Sequence, residues 1–160
     1  MGDAAVNASP LIFLAGADLL EFLKLLGGRI LVPAPVADEV FQRGDSDHTA
    51  MALKRTPWLE RVMPSPVPPE IERWDLGPGE SAVLSWALAH PGTEAVLDDL
   101  GGRRCAAVLG IPVRGTLGLV LLAKKRGTIA KARPVLDRLR GAGMYLSDSV
   151  LDEALKLVGE

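Results

Sequence analysis

Four carboxylates in this chain stand where chemistry is most readily assembled: Glu39, Glu80, Asp98 and Asp99. The adjacent pair is the most informative. An apolar run, Ala95-Val96-Leu97, ends on Asp98-Asp99, and a charged pair placed directly after an apolar strand needs a reason to be there. Glu39 and Glu80 each open or ride a short helix-like segment. Hard oxygen ligands of this kind suit Mg²⁺ or Mn²⁺ rather than softer metals. Two such ions about 3.5–4 Å apart would clamp the attacking and leaving oxygens of a phosphodiester. Arg103 and Arg104 follow the acid pair closely and are candidate phosphate contacts.

The elements that position these acids follow from the pattern around them. Ala95–Leu97, a helix-like segment opened by the two arginines, and Ile111–Val113 read as strand, helix, strand, a βαβ unit of a parallel sheet. Ligands of such sheets sit outside the carboxyl ends of the strands, which is where Asp98 and Asp99 fall. Ala4–Val6 is a first short strand, and Ser9-Pro10 starts a helix. Asp18–Glu21 has the spacing of a capping box for a helix running to Leu26. Arg29–Val32 and Trp58–Val62 are further strands. Val36–Gln42, Thr49–Arg55 and the segment from Glu80 are helices, as are Leu117–Lys125, Pro134–Arg140 and Ser149–Val158. Met144–Leu146 reads as a last short strand or extension. The proline-rich stretch Pro64–Pro69 is a stiff connector within one domain, residues 1–160. The alternation predicts a three-layer α/β/α sandwich around a mainly parallel sheet.

Composition narrows the function classes. Aromatic residues make up 4% of the chain, so the core must be aliphatic. The single cysteine, Cys105, excludes an internal disulfide and fits a reducing cytoplasm. One cysteine with His48 and His90 is a poor inventory for a zinc site. No basic leader precedes the first strand, and Leu117–Ala123 is too short to span a bilayer, so a soluble cytoplasmic protein is expected. Neither of the glycine-rich phosphate-binding motifs occurs. A receiver domain would need its acid pair near the start of the fold.

Charge is divided along the chain. Residues 1–102 hold seven Lys/Arg against fifteen Asp/Glu, a balance of −8. Residues 103–140 hold ten against one, a balance of +9, and residues 141–160 return to −3. An acidic half carrying a site, followed by a basic belt, suits a polyanion gripped by its backbone. Lys124, Lys125, Lys131, Arg133, Arg138 and Arg140 fit solvated helix faces equally well.

Four stretches in order, ASPLIFLAGADLLEFL, ILVPAPVADEV, LGPGESAVLSWAL and LDDLGGRRCAAVLGIPVRGTLGLVLLAKKRGTI, resemble the PIN-domain family. The likeness is to its compact members related to VapC-type toxin ribonucleases, and YLSDSVLDEALKLVGE resembles their ending. The resemblance implies a PIN-like sheet with acids around one crevice, Mg²⁺- or Mn²⁺-dependent cleavage of RNA, a small antitoxin partner and a homodimer. It places Glu39, Glu80, Asp98 and Asp99 as catalytic metal ligands. Ser9 and Thr116 would lie beside the substrate. One position departs from the pattern: the family's first strand usually ends in Asp, and here it is followed by Asn7. An amide keeps a carbonyl ligand but gives up the charge and the ability to accept a proton. The resemblance therefore carries two expectations: a metal-dependent ribonuclease, or a weakened relative kept for binding nucleic acid or protein.

Overall fold

The computed structural model describes residues 2–160. Five parallel strands form one sheet in the order β3-β2-β1-β4-β5. They are β1 (Ala4–Val6), β2 (Ile30–Pro33), β3 (Leu59–Val62), β4 (Glu94–Val96) and β5 (Val113–Arg114). Every residue of β1 and β2 is buried. Successive strand residues point to opposite faces, so burial of all of them means that both faces are covered. The expected α/β/α sandwich is the observed architecture.

Among the described residues, nine α-helices and one 3₁₀ helix supply the covering layers: α1 (Ala8–Gly16), α2 (Ala34–Phe41), α3 (His48–Arg55), α4 (Pro69–Glu72), α5 (Pro78–Ala89), α6 (Leu100–Leu109), α7 (Thr116–Lys125), α8 (Ala132–Gly141) and α9 (Asp148–Leu157). Helix α5 packs against β1, β2 and β4, with α2 and α6 beside it. Helix α7 packs with α8, α1 and the 3₁₀ helix. Leu31, Leu84, Leu97, Leu119, Leu136 and Leu155 are among the fully buried side chains, which gives the aliphatic core that so few aromatics require. The sheet edge at β3 exposes Glu60 and Arg61, charges that discourage another strand from pairing there.

The stiff connector joins β3 to α4. Ile71, on that single turn, is completely buried and pins the connector to the body of the protein. Cys105 is also fully buried, and desolvation pushes its thiol pKa up, as suits an inert core residue. His90 stacks on Trp86 with ring centroids 4.0 Å apart, and its Nδ1 lies 2.9 Å from the Trp86 carbonyl.

Two sequence expectations are corrected. The segment after α1 opens with a turn and continues as a 3₁₀ helix, Leu20–Leu26, with no side-chain cap. Asp18 sits at φ 56°, in the left-handed region. Its N–H donates to Ala15 O (3.2 Å), and Leu19 N–H donates to Leu14 O (2.7 Å). That pair of bonds is a Schellman closure of α1, with Asp18 at the position usually given to glycine. Helix α6 ends with the same pair of bonds at Gly110. The second concerns Met144–Leu146, read as a short strand or extension: the strand alternative is not observed. Met144 N–H is used to close α8 on Leu139 O, and Tyr145 is left 88% exposed.

Candidate functional site

In an all-parallel sheet every strand delivers its carboxyl end to the same edge, and the helices that follow begin there. Val6 and Val96 are register partners on adjacent strands. Asn7, the next residue on one strand, donates its N–H to Val96 O at 2.9 Å. Asn7 and Asp98 therefore leave the sheet side by side. Helices α1, α2, α6 and α7 all start at this edge, and their partial positive N-termini offset some of the repulsion between gathered acids.

Asn7 occupies the N-cap position of α1 in an extended conformation (φ −81°, ψ 168°), yet its side chain does not cap the helix. The residue is 3% exposed and its Oδ1 has no hydrogen-bond partner among the described residues. A buried acceptor left unpaired is costly, so this oxygen is a distinctive feature of the edge. It faces the start of α5. A β-carbon placed on Gly79 would lie 3.0 Å from Asn7 Oδ1 and 3.6 Å from Glu39 Oε2. The glycine thus leaves open the space between these two oxygens. Glu39 itself is solvent-exposed on α2. A cavity of about 330 Å³ lies alongside, lined by Pro35, Asp38, Glu39, Gln42, Pro78 and Gly79.

Glu80 follows Gly79 in the first turn of α5, where a carboxylate is favoured by the helix dipole. It leans back over Gly77: a β-carbon there would be 2.6 Å from Glu80 Oε2. Its Cγ and Asp99 Oδ2 each lie 3.9 Å from the β-carbon position of Gly102. Asp99 caps α6, accepting from Gly102 N–H at 3.0 Å. The acid pair is thereby divided between two tasks, because Asp98 turns to α7. Asp98 Oδ1 accepts from Thr116 N–H and Oδ2 from Thr116 Oγ1, both at 2.7 Å. Thr116 is completely buried.

Arg103 approaches Asp98 at Gly115, whose β-carbon would lie 2.5 Å from Arg103 Nη1 and 3.0 Å from Asp98 Oδ1. Arg103 and Arg104 are both exposed on α6. Ser9 is half-buried in the first turn of α1. All the sequence-nominated residues thus lie on elements that begin or end at one edge. Some of them come together: Asn7 and Glu39 approach at Gly79, Asp98 and Arg103 at Gly115, and Thr116 holds Asp98, whereas Glu80 approaches Asp99 at Gly102 only through its Cγ, and Ser9 and Arg104 are brought to none of the others. Among the described residues, no three His, Cys, Asp or Glu side chains form a group that could hold a metal ion. Asn7 Oδ1 and the Glu39 carboxylate are the donors best placed to share one, and hard oxygens are the right chemistry for Mg²⁺ or Mn²⁺.

Gly79 and Asp38 were not apparent as site residues from sequence. A Pro-Gly-Glu helix start is a weak signal, and only the approach of α5 to Asn7 gives the glycine its meaning. The basic belt is also more structural than its charge suggested. Lys124 bonds Ala130 O (2.6 Å) and pairs with Glu160 (3.4 Å), and Arg140 pairs with Asp148 (3.0 Å). Arg126 and Arg138 donate to the carbonyls of Leu25 and Ala17, tying α7 and α8 to the 3₁₀ region.

A short parallel sheet with carboxylate and amide oxygens at its carboxyl edge defines an α/β protein with a candidate cation-dependent site. A family model described as a PIN domain matches residues 3–160. The chain belongs to the PIN-domain family. Among curated proteins, none matches this sequence. Among solved structures, the chain is similar to one in the crystal structure of VapBC2 from Rickettsia felis bound to a DNA fragment from their promoter. The identity is 9%, 71% of this chain and 98% of that chain are covered, and the TM-score is 0.48. The family assignment rests on the family match alone. No described helix is long and apolar enough to cross a membrane.

Proposed function

We propose that this PIN-domain chain is a Mg²⁺- or Mn²⁺-dependent endoribonuclease of the cytoplasm, acting as the toxin of a toxin–antitoxin pair. The observation that carries the reading is the buried, unpartnered Asn7 Oδ1 facing Glu39 across Gly79. A cation would satisfy that acceptor, and the remaining carboxylates at the edge supply the negative charge that draws it in. Glu39 and Asn7 would hold the ion, with Glu80, Asp98 and Asp99 around it. A divalent ion there supplies a lowered water pKa and offsets charge that develops on a phosphodiester.

The other residues have positional roles. Thr116 holds both oxygens of Asp98, so that carboxylate keeps one orientation as RNA enters. Asp99 fixes the start of α6, which presents Arg103 and Arg104 to the RNA phosphates. Ser9 and Thr116 border the path of the substrate. A homodimer and a small antitoxin that covers this edge complete the proposal.

The second reading, a PIN-like module that binds nucleic acid or protein without cutting, is favoured by the neutral charge of Asn7 and the absence, among the described residues, of three converging carboxylates. RNA cleavage with Mn²⁺ separates the two. The chain should cut RNA, and Asp98→Asn/Asp99→Asn should not. Metal-dependent cleavage that survives loss of both aspartates would overturn the assignment of the site. Cleavage seen only in Asn7→Asp would establish the binding module.

A further inference from the structure

We infer that the groove between α2 and the start of α5 is a base-reading subsite, in which Asp38 and Gln42 receive the Watson–Crick edge of one guanine of single-stranded RNA. The inference rests on the proposed RNA substrate and adds a sequence preference to it. Helix α2 buries Val36, Ala37 and Val40 in the core. Pro35, Asp38, Glu39 and Gln42 recur at helical spacing and, with Pro78 and Gly79, line a cavity of about 330 Å³. Gln42 N–H donates to Asp38 O at 3.0 Å, so the two side chains stand one turn apart on the same face. Both residues are exposed, and among the described residues no hydrogen bond or ion pair engages either side chain. Arg43, the nearest cation in sequence, is held by Asp47 at 3.1 Å. Glu39 and Gly79 belong both to this groove and to the candidate site, so a nucleotide that enters it stays beside the edge where cleavage is proposed.

The lining selects what can enter. The volume is near the lower end of the roughly 300–1,000 Å³ of small-ligand sites, room for one base rather than a folded segment. Asp38 and Glu39 repel a phosphate, so the base enters and the backbone stays outside. Unstacked bases of single strands are read by hydrogen bonds to their Watson–Crick edges. An ionised carboxylate can only accept. Guanine alone among the four bases carries two neighbouring donors on that edge, N1–H and the 2-amino group, and both can donate to Asp38. Its O6, beside them, can accept from the Gln42 amide. Adenine and cytosine set a ring-nitrogen lone pair next to a single amino group, and uracil sets one N–H between two carbonyls. Each of these turns a lone pair toward the carboxylate. Pro35 and Pro78, one from each helix, offer apolar ring surface to the faces of the base.

Fluorescence anisotropy of short U-rich RNAs that differ at one central base tests this, with Ca²⁺ in place of Mn²⁺ and electrophoresis of the recovered RNA verifying that it is intact. The expected result is binding on the order of tenfold tighter for guanine than for adenine, cytosine or uracil. Inosine, which lacks the 2-amino group, should fall between. Asp38→Asn should lower guanine to the level of inosine, because its amide accepts N1–H but cannot accept from the 2-amino group as well. Gln42→Ala should weaken guanine and inosine alike. Both positions are exposed, and a thermal melt verifies that each variant is folded. Equal binding of all the RNAs, preference for another base, no binding, or a step between guanine and inosine that survives in folded Asp38→Asn would each overturn the inference; equal binding would leave the groove free for a protein partner. Cleavage by the unaltered chain in Mn²⁺ keeps the two readings apart. Guanine preference without cleavage removes the nuclease and leaves this subsite standing. Cleavage without base preference does the reverse.

Discussion

Thr116 grips Asp98 with two donors, its backbone N–H on one carboxylate oxygen and its hydroxyl on the other, both at 2.7 Å. The contact joins the end of β4 to the start of α7, across 18 residues of chain. It gives Asp98 a structural task that any mutational reading of the site must separate from a catalytic one. Asp98→Asn can keep both bonds, since the amide oxygen accepts the N–H and its NH₂ donates to Oγ1; only the charge assistance is lost, costing about 0.5–1.5 kcal/mol. Thr116→Val removes the hydroxyl and leaves a half-buried carboxylate oxygen unpaired, costing about 1–3 kcal/mol. Urea unfolding should therefore rank Thr116→Val as the less stable variant, while Asp98→Asn loses more Mn²⁺ affinity. The opposite ranking in both measurements would assign Asp98 to structure alone.

Asp18 provides a second prediction, on stability. It holds the left-handed position that closes α1, and it puts a carboxylate at the negative end of that helix dipole. Its ion-pair partner among the described residues is His48 at 3.6 Å, and both side chains are mostly exposed, so the pair contributes little. Asp18→Gly removes the backbone strain and the unfavourable charge, against a greater entropy loss on folding. The expected net gain is about 0.5–1 kcal/mol, visible as a higher denaturation midpoint with an unchanged m-value. Asp18→Ala, which keeps the strain and loses the local polar group, should be less stable than Asp18→Gly.

Asp3 sets the direction of a pH response. The Arg29 backbone N–H donates to Oδ1 at 3.0 Å and the Arg29 guanidinium donates to Oδ2, which tie the starts of β1 and β2 together. These bonds, the backbone one first, hold the Asp3 carboxyl below its ordinary value of 3.8. A folded-state pKa lower than the unfolded one gives stability that is fully present above the unfolded value and lost as pH falls through the folded one. Unfolding free energy measured from pH 6 downward should therefore decline less steeply in Asp3→Asn than in the unaltered chain, with the curves separating below about pH 5. Parallel curves would mean that the contact is not populated in solution.

The fold was legible because a parallel sheet buried on both faces leaves a plain record: apolar runs such as Ala95–Leu97, each followed by a polar break and a helix. The acid pair was legible for the same reason, since carboxylates directly after a buried strand mark its carboxyl end. Asp18 misled because Asp-Leu-Leu-Glu has the same spacing whether the aspartate caps the next helix or closes the previous one; the exit direction of α1 decides, and that is a tertiary property. Of the two alternatives for Met144–Leu146, the strand is not observed, and the helix closure takes the Met144 N–H. The division of labour between Asp98 and Asp99 was hidden because Thr116 and Gly102 select between neighbours by three-dimensional approach. The basic belt showed its charge in sequence but not that carbonyls of Ala17 and Leu25 would occupy two of its arginines.

Gly79 gives the sharpest separation of stability from function. It is buried in the first turn of α5, where alanine would ordinarily stabilise the helix by up to about 1 kcal/mol. The added methyl would stand 3.0 Å from Asn7 Oδ1 and 3.5 Å from a Val36 methyl, so the Asn7 side chain must shift by a few tenths of an ångström. These effects oppose one another, and Gly79→Ala should melt within a few degrees of the unaltered chain. The same methyl narrows the gap beside Asn7 Oδ1 and Glu39 Oε2, which lie 3.0 Å and 3.6 Å from it. If that gap is where a cation sits, Gly79→Ala should lose Mn²⁺ affinity on the order of tenfold or more, with an intact fold. Calorimetric titration alongside a thermal melt decides it. Unchanged affinity in a folded Gly79→Ala protein would move the cation away from Asn7 and toward Glu80 and Asp98.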